Sequence, residues 1–225
     1  MRITSRHKVR LLRRAWSEGW RPFCSLFLLI LRETFFYRVT LVYRMAADEM
    51  ARAAVPERVE LSVRRYHRWD DVEPGVREML AAEPHDFGWD FPKLLGAGWE
   101  LWAGFVDGRV ASLCWTRGQR EAREFWARLG PHDMLMGPAA TAPAFRGRGI
   151  FTYMLGTVAR QAAAEGVEQF WVSCLQSNVA SRRAIRRNGF VPVGRAVHTV
   201  LGGHRWTAPN ADFQENRALP RPVHV

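Results

Sequence analysis

Phe145-Arg146-Gly147-Arg148-Gly149-Ile150-Phe151 joins an apolar run, Met134–Thr141, to a helical stretch, Ile150–Glu165, that stops at Gly166. Glycines in such a junction let the backbone come close to a ligand. The first N–H groups of the helix have no intrahelical partner, and its N-terminus adds partial positive charge. The stretch therefore suits a pyrophosphate, to which Arg146 and Arg148 can add charge-assisted contacts. On these residues alone, a solvated Arg/Gly turn explains the loop equally well. It is not a Walker loop, because no Gly-Lys-Ser/Thr follows. Nor is it a dinucleotide fingerprint: the three-glycine spacing is missing, and Pro138 and Pro143 interrupt the preceding strand.

Downstream, Gln169–Leu175 reads as a buried strand and Asn178–Asn188 as a helix closed by Gly189. Phe190–Leu201 follows as a strand, turning at Gly202-Gly203 into His204–Thr207. Asn178 can cap its helix, or its amide can bond a ligand lying between two splayed strands. Upstream, Val59, Leu61 and Val63 alternate as a strand, and Val72–Ala82 reads as a helix. Pro84–Gly98, rich in Gly, Pro, Asp and Trp, reads as a loop. Trp99–Val106 and Arg109–Thr116 flank Asp107-Gly108, a dipeptide suited to a type I′ hairpin turn. Gln119–Leu129 is expected to be a connecting helical turn. Hairpins early and β-α-β units late predict an α/β (mixed α+β) sheet.

Arg146-Gly147-Arg148-Gly149-Ile150-Phe151, Asn178-Val179-Ala180-Ser181 and Gly189-Phe190, in that order and separation, resemble the motifs of the GCN5-related N-acetyltransferase (GNAT) superfamily. The resemblance covers residues 59–207 in element order and specific residues within 137–195. It implies a twisted mixed sheet, splayed at its middle and flanked by helices, that holds acetyl-CoA or another acyl-CoA as co-substrate. The pyrophosphate would rest on the main-chain amides of Gly147, Arg148, Gly149, Ile150 and Phe151. The pantetheine would pair with the strand edge at Ala139, Ala140 and Thr141, and Asn178 would contact it. An amine would then attack the thioester directly, in a ternary complex.

The chain departs from that pattern in three places. Phe151 stands where a small residue is usual. Ile185 stands where many members carry a Tyr that protonates the departing thiolate. Pro138 and its neighbours include no carboxylate to serve as base. Glu100, His132, Asp133, Ser173, Cys174, His198 and His204 are the remaining groups able to move a proton, and none stands out, so no catalytic residue is assigned. Donor and acceptor held in line can supply much of the rate, since orientation alone is worth about 7–11 kcal/mol.

A hydrophobic content of 48% with 10 Trp rules out a mainly disordered chain. Cys24, Cys114 and Cys174 lie far apart, which excludes a disulfide scaffold and a structural zinc site. Residues 1–44 hold ten Arg/Lys against Glu18 and Glu33, or +8 of the total +11. A near-neutral body argues against specific nucleic-acid binding by the whole fold. The apolar run Phe23–Leu31 is too short to cross a bilayer and has no cleavage site after it, so it is expected to be retained. Val9, Leu12, Trp16 and Trp20 recur at helical spacing from Ser5 to Trp20, with a second segment from Pro22 to Leu31. Phe35–Arg44 then alternates as a strand, and Met45–Ala54 reads as a short helix.

The expected organisation is a basic N-terminal extension or subdomain at 1–56, a GNAT-like acyltransferase domain at 57–208 and a tail at 209–225. The expected function is acyl-CoA-dependent N-acyl transfer, acetyl above all, to a primary amine on a small molecule or sugar. Two alternatives stand beside it: a non-catalytic acyl-CoA-binding or regulatory module, and a membrane-surface interaction protein. Residues 1–44 suit an anionic membrane surface, which places the expected protein in the cytoplasm at the inner membrane face.

Overall fold

Eight strands form one twisted mixed sheet in the order β2-β3-β4-β5-β6-β1-β7-β8. The computed structural model describes residues 37–50, 60–82, 89–122, 125–199 and 204–207, together with Trp16, Trp20, Cys24, Phe27 and Leu28. The strands are β1 (Tyr37–Ala46), β2 (Ser62–Tyr66), β3 (Glu100–Val106), β4 (Arg109–Arg117), β5 (Asp133–Thr141), β6 (Gln169–Leu175), β7 (Val191–Thr199) and β8 (His204–Thr207). The helices are α1 (Ala47–Met50), α2 (Pro74–Ala82), α3 (Phe91–Gly96), α4 (Ile150–Ala164) and α5 (Val179–Arg187). All neighbours are antiparallel except β5 and β6. The helix α4 crosses between that parallel pair, as a parallel connection demands.

Both faces of the sheet are covered. α4 buries Ile150, Met154, Leu155, Val158, Ala159 and Ala162, a stripe at helical spacing. It packs with Ile185 of α5 on Trp102, Cys114, Met136, Phe170 and Val172. The opposite face of β3 and β4 packs Leu101, Ala103, Leu113 and Trp115 against Val76 and Leu80 of α2 and Phe91 and Leu95 of α3. Each Val, Leu, Ile, Met or Phe among them, fully buried, contributes about 1.5–3 kcal/mol.

The Asp107-Gly108 turn has φ of 50° and 73°, both positive, as a type I′ turn requires. Other expectations shift. The stretch Pro84–Gly98 is not all loop: Phe91–Gly96 is a helix, capped by Asp90 Oδ1, which accepts from Lys93 N–H at 3.1 Å, with Pro92 in its first turn. The strand expected around Val59–Val63 lies at Ser62–Tyr66, where Arg64 and Arg65 are held by side-chain partners. Gln119–Leu129, expected as a connecting helical turn, has a turn closed by Ala122 N–H on Gly118 O at 3.1 Å, followed by bends among its described residues.

The larger correction concerns the N-terminal boundary at residue 56. Tyr37–Ala46 lies in the middle of the sheet, where β1 pairs with β6 through Thr40↔Leu175 to Ala46↔Gln169, and with β7 through Tyr37↔Thr199 to Arg44↔Val191. Leu41, Tyr43 and Met45 are buried in the main core. Alternation identified the strand but not its neighbours, because period-2 burial is the same wherever in a sheet the strand inserts. Trp16, Trp20, Cys24, Phe27 and Leu28 are helical, as expected, while the rest of residues 1–36 and the tail 209–225 lie outside the described residues.

Candidate functional site

β5 and β6 pair only from Asp133↔Gln169 to Met136↔Val172. Beyond that point β5 stays with β4, through Ala139↔Cys114, Ala140↔Leu113 and Thr141↔Ser112. β6 stays with β1, through Ser173↔Val42, Cys174↔Leu41 and Leu175↔Thr40. The two parallel strands therefore separate and open a cleft toward their C-terminal ends. A bulge sets the point of divergence: Gly137 and Pro138 stand together opposite Trp115. Such an insertion bends its strand and ends pairing, Gly137 takes a φ of +111°, and Pro138 has no N–H for any ladder.

The β5 edge facing this cleft can be read group by group. Ala142 N–H donates to Ala111 O at 2.9 Å, and Ser112 Oγ donates to Ala140 O at 2.9 Å, so residues 140 and 142 address β4. Main-chain direction alternates along a strand, which turns the groups of Ala139 and Thr141 into the cleft. Thr141 O accepts from Arg146 Nε at 3.0 Å. The Ala139 N–H and C=O and the Thr141 N–H remain directed at the gap.

At the mouth, a 3-10 turn at Pro143–Phe145 leads into Arg146–Gly149 and then α4. Gly147 and Gly149 have φ of +81° and +76°, in the left-handed region that L side chains avoid. A Cβ at either would meet nothing within 4 Å, so the space beside them is open. Tyr153 N–H bonds back to Gly149 O at 3.0 Å. The N–H groups of Ile150, Phe151 and Thr152 precede any intrahelical partner. Arg146 through Gly149 are exposed, while Ile150 is buried beside Phe145 and Phe151 packs on the main core. Ile150 and Phe151 can thus serve a ligand only through their main chain. The guanidinium groups of Arg148 and Arg109 lie 5.8 and 5.6 Å from the Phe145 ring, so cations flank the loop.

Across the cleft, Asn178 stands where β6 ends. Its Oδ1 accepts from Ser181 N–H at 3.1 Å and caps α5. The cap is real, and it leaves the amide Nδ2 as the atom able to donate to a ligand. Ser173 and Cys174 point to opposite faces: Cys174 packs on the main core, and its neighbour cannot share that face. Ile185 is 1% exposed inside the core, so a tyrosine there would overpack it rather than enter the cleft.

The remaining proton-bearing candidates are tied into the fold. Asp133 Oδ2 accepts from Trp171 Nε1 and Gly130 N–H, both at 2.9 Å. His198 packs edge-on against Trp126, His132 is exposed, and the His204 side chain lies outside the described residues. Glu100 is held by Arg65 at 2.8 and 2.9 Å, by Thr116 Oγ1 at 3.0 Å and by His67 at 3.2 Å. Thr116 in turn accepts from the buried Trp102 Nε1 at 2.9 Å, and Arg65 reaches Glu165 at the end of α4. This web joins three strands, β2, β3 and β4, to the end of α4 away from the glycine loop. Buried Cys114 has its thiol pushed up to about 12 by loss of solvent, which makes it inert. Sequence reasoning missed Asn188, whose role rests on a tertiary contact to Thr152 beside a local bond to Ala184.

A family model described as "Acetyltransferase (GNAT) family" matches residues 62–190. No curated protein matches the sequence. Among solved structures, a GNAT-family acetyltransferase from Colwellia psychrerythraea is 19% identical, with a TM-score of 0.53 over 73% of this chain and 56% of that one. A GCN5-related N-acetyltransferase from Sphaerobacter thermophilus is also 19% identical, with a TM-score of 0.50 over 84% and 58%. At that identity the likeness is one of fold. The first three solved structures it matches are spanned over 56% to 65% of their own length.

Proposed function

The chain belongs to the acetyltransferase (GNAT) family, and on that premise we propose that it transfers an acyl group, acetyl above all, from acyl-CoA to a primary amine. The observation that carries this reading is the parting of β5 from β6 after Met136↔Val172, with an open glycine loop at the mouth of the gap. The donor set fits the co-substrate. Two glycines whose flanks are empty, three first-turn N–H groups and the adjacent arginines suit a pyrophosphate. Ala139 and Thr141 offer main-chain groups to a pantetheine amide, as an added strand would use them. Asn178 Nδ2 would donate from the other wall, its Oδ1 being engaged in the cap of α5.

Bound there, the thioester supplies an activated acyl carbon. The protein's own part is to hold that carbon and the amine in line and to keep bulk water out. Orientation is the main catalytic resource of this cleft, since Ile185 has no proton to give and Asp133 and Glu100 are engaged elsewhere. The amine nucleophile must arrive neutral, so transfer should rise with pH as the acceptor deprotonates. Calorimetry with coenzyme A, followed by mass spectrometry of a panel of small and sugar amines incubated with acetyl-CoA, tests the proposal. Failure to bind coenzyme A would defeat it.

A second reading, a non-catalytic acyl-CoA-binding module, draws support from the buried Ile185. Tight coenzyme A binding without turnover of any amine would favour it.

A further inference from the structure

Four of the six large apolar side chains exposed among the described residues lie within the first 28 positions: Trp16 (64%), Trp20 (70%), Phe27 (44%) and Leu28 (61%). All four are helical. The surrounding sequence is strongly basic, ten Arg/Lys against two Glu over residues 1–44. Helical backbone, exposed aromatic and aliphatic side chains and a surplus of cations together match a segment that lies in the interface of an anionic bilayer. A nucleic-acid arm would need the cations but has no use for exposed Leu28 and Phe27.

Topology fixes where this segment joins the fold. β1 runs antiparallel to β6, with Thr40 opposite Leu175, and Val39 O accepts from Gln176 N–H at 2.9 Å. The chain therefore enters the sheet at the C-terminal end of β6, which is the end where the cleft opens. Leu28 is nine residues from Tyr37, a reach of at most about 30 Å. The same end is apolar and cationic in its own right. Val179, at the first turn of α5, is 48% exposed. Arg146 and Arg148 stand in the glycine loop there and Arg182 and Arg183 in the first turns of α5, while the acids Glu165 and Glu168 follow the C-terminal end of α4, away from the mouth.

We propose that Trp16, Trp20, Phe27 and Leu28, with the basic sequence around them, dock the protein on an anionic phospholipid surface, with the mouth of the cleft turned toward the bilayer. The arm supplies insertion and charge, and the arginines around the mouth add a long-range attraction that salt weakens. This orientation does not depend on acyl transfer, since it uses the arm, β1 and α5 rather than the chemistry of the gap.

The test uses the full chain in co-sedimentation with vesicles of phosphatidylglycerol and phosphatidylcholine, against vesicles of phosphatidylcholine alone. Binding to the anionic vesicles should be about tenfold tighter and should fall as salt rises. Trp16→Ser/Trp20→Ser, at exposed positions, should lose about tenfold of that binding while coenzyme A affinity stays unchanged. Amide hydrogen exchange should slow on vesicles at the start of α5 and not in α2. Equal binding to both vesicle types, retained binding in the double variant, protection confined to α2, or binding to duplex DNA in place of vesicles would each overturn the proposal. Vesicle binding by a protein that fails to take up coenzyme A would leave it standing and remove the acyl-transfer reading instead.

Discussion

Asn188, at the end of α5, donates through Nδ2 to Thr152 O in the first turn of α4 at 3.0 Å, and the same nitrogen bonds Ala184 O at 3.0 Å. One buried amide thus locks the helix behind the glycine loop to the helix behind Asn178. The two walls of the cleft mouth are held in register by it.

That lock leaves no room beside Gly156, where an added Cβ would lie 2.7 Å from Asn188 Oδ1. Gly156→Ala should therefore destabilise the protein by about 1–3 kcal/mol, the cost of overpacking, less the ~1 kcal/mol that alanine gains in a helix. In an Asn188→Ala background the obstacle is gone, and the same substitution should become stabilising. Urea unfolding of the four proteins in the cycle measures the change of sign; additive effects would contradict the contact.

Gly149 is held at φ +76° with open space beside it. Gly149→Ala should cost roughly 1–2 kcal/mol of stability from backbone conformation alone. Gly149→Gln and Gly149→Glu share that cost and add bulk, but only the second brings a negative charge to the helix N-terminus. Coenzyme A affinity by calorimetry should be about tenfold lower for Glu than for Gln. Equal affinities would mean that no anion sits there.

Alkaline pH should unfold the protein from a defined starting point. Burial raises the Cys114 thiol from 9.0 to about 12, and burial, with the Glu73 hydrogen bond, raises the Tyr66 phenol from 10.0 to about 12. Both groups are neutral acids whose folded pKa exceeds the unfolded one. Their stabilising contribution is complete below the unfolded values and is lost as pH climbs toward 12. Unfolding free energy should begin to fall near pH 9, and Cys114→Ala, though less stable at neutral pH, should show a shallower decline between 9 and 10. An unchanged slope would rule out the thiol.

Glu100→Gln removes the charge that Arg65, His67 and Thr116 share. It should cost about 1–3 kcal/mol of stability, as expected for a charged hydrogen-bonded group that is partly buried. The pH dependence of amine acylation should stay the same. A lost acidic limb would instead identify Glu100 as a general base.

Deleting residues 1–34 should leave a folded domain that binds coenzyme A, whereas deleting 1–46 should not fold. β6 and β7 have no direct pairing, and β1 lies between them. Circular dichroism and coenzyme A calorimetry on both truncations decide this. A folded 47–225 fragment would show that another strand can take the place of β1.

What the sequence disclosed depended on which forces are local. Gly147, Gly149 and Asp107-Gly108 were readable because positive φ is a property of single residues. The stripe of α4 was readable because its period is contained in one helix. The helix at Phe91–Gly96 was hidden by aromatic, Gly and Pro composition, although Asp90 and Pro92 mark its start. The place of β1 and the grip of Arg65 on Glu100 depend on partners distant in the chain, for which no local pattern exists. The cleft lies between these cases. Its glycine loop was legible, but the parting of the strands at Gly137-Pro138 needed the register of β4.

The central position of β1 also sets a timetable for synthesis. Its partners in β6 and β7 lie roughly 120 to 160 residues further along the chain, so its pairing is highly non-local and slow to form. At a translation rate of about 5–20 residues per second, Leu41, Tyr43 and Met45 must wait roughly six to thirty seconds for their neighbours to be synthesised. During that interval the strand has both edges bare, the state in which a strand is most open to pairing with another chain.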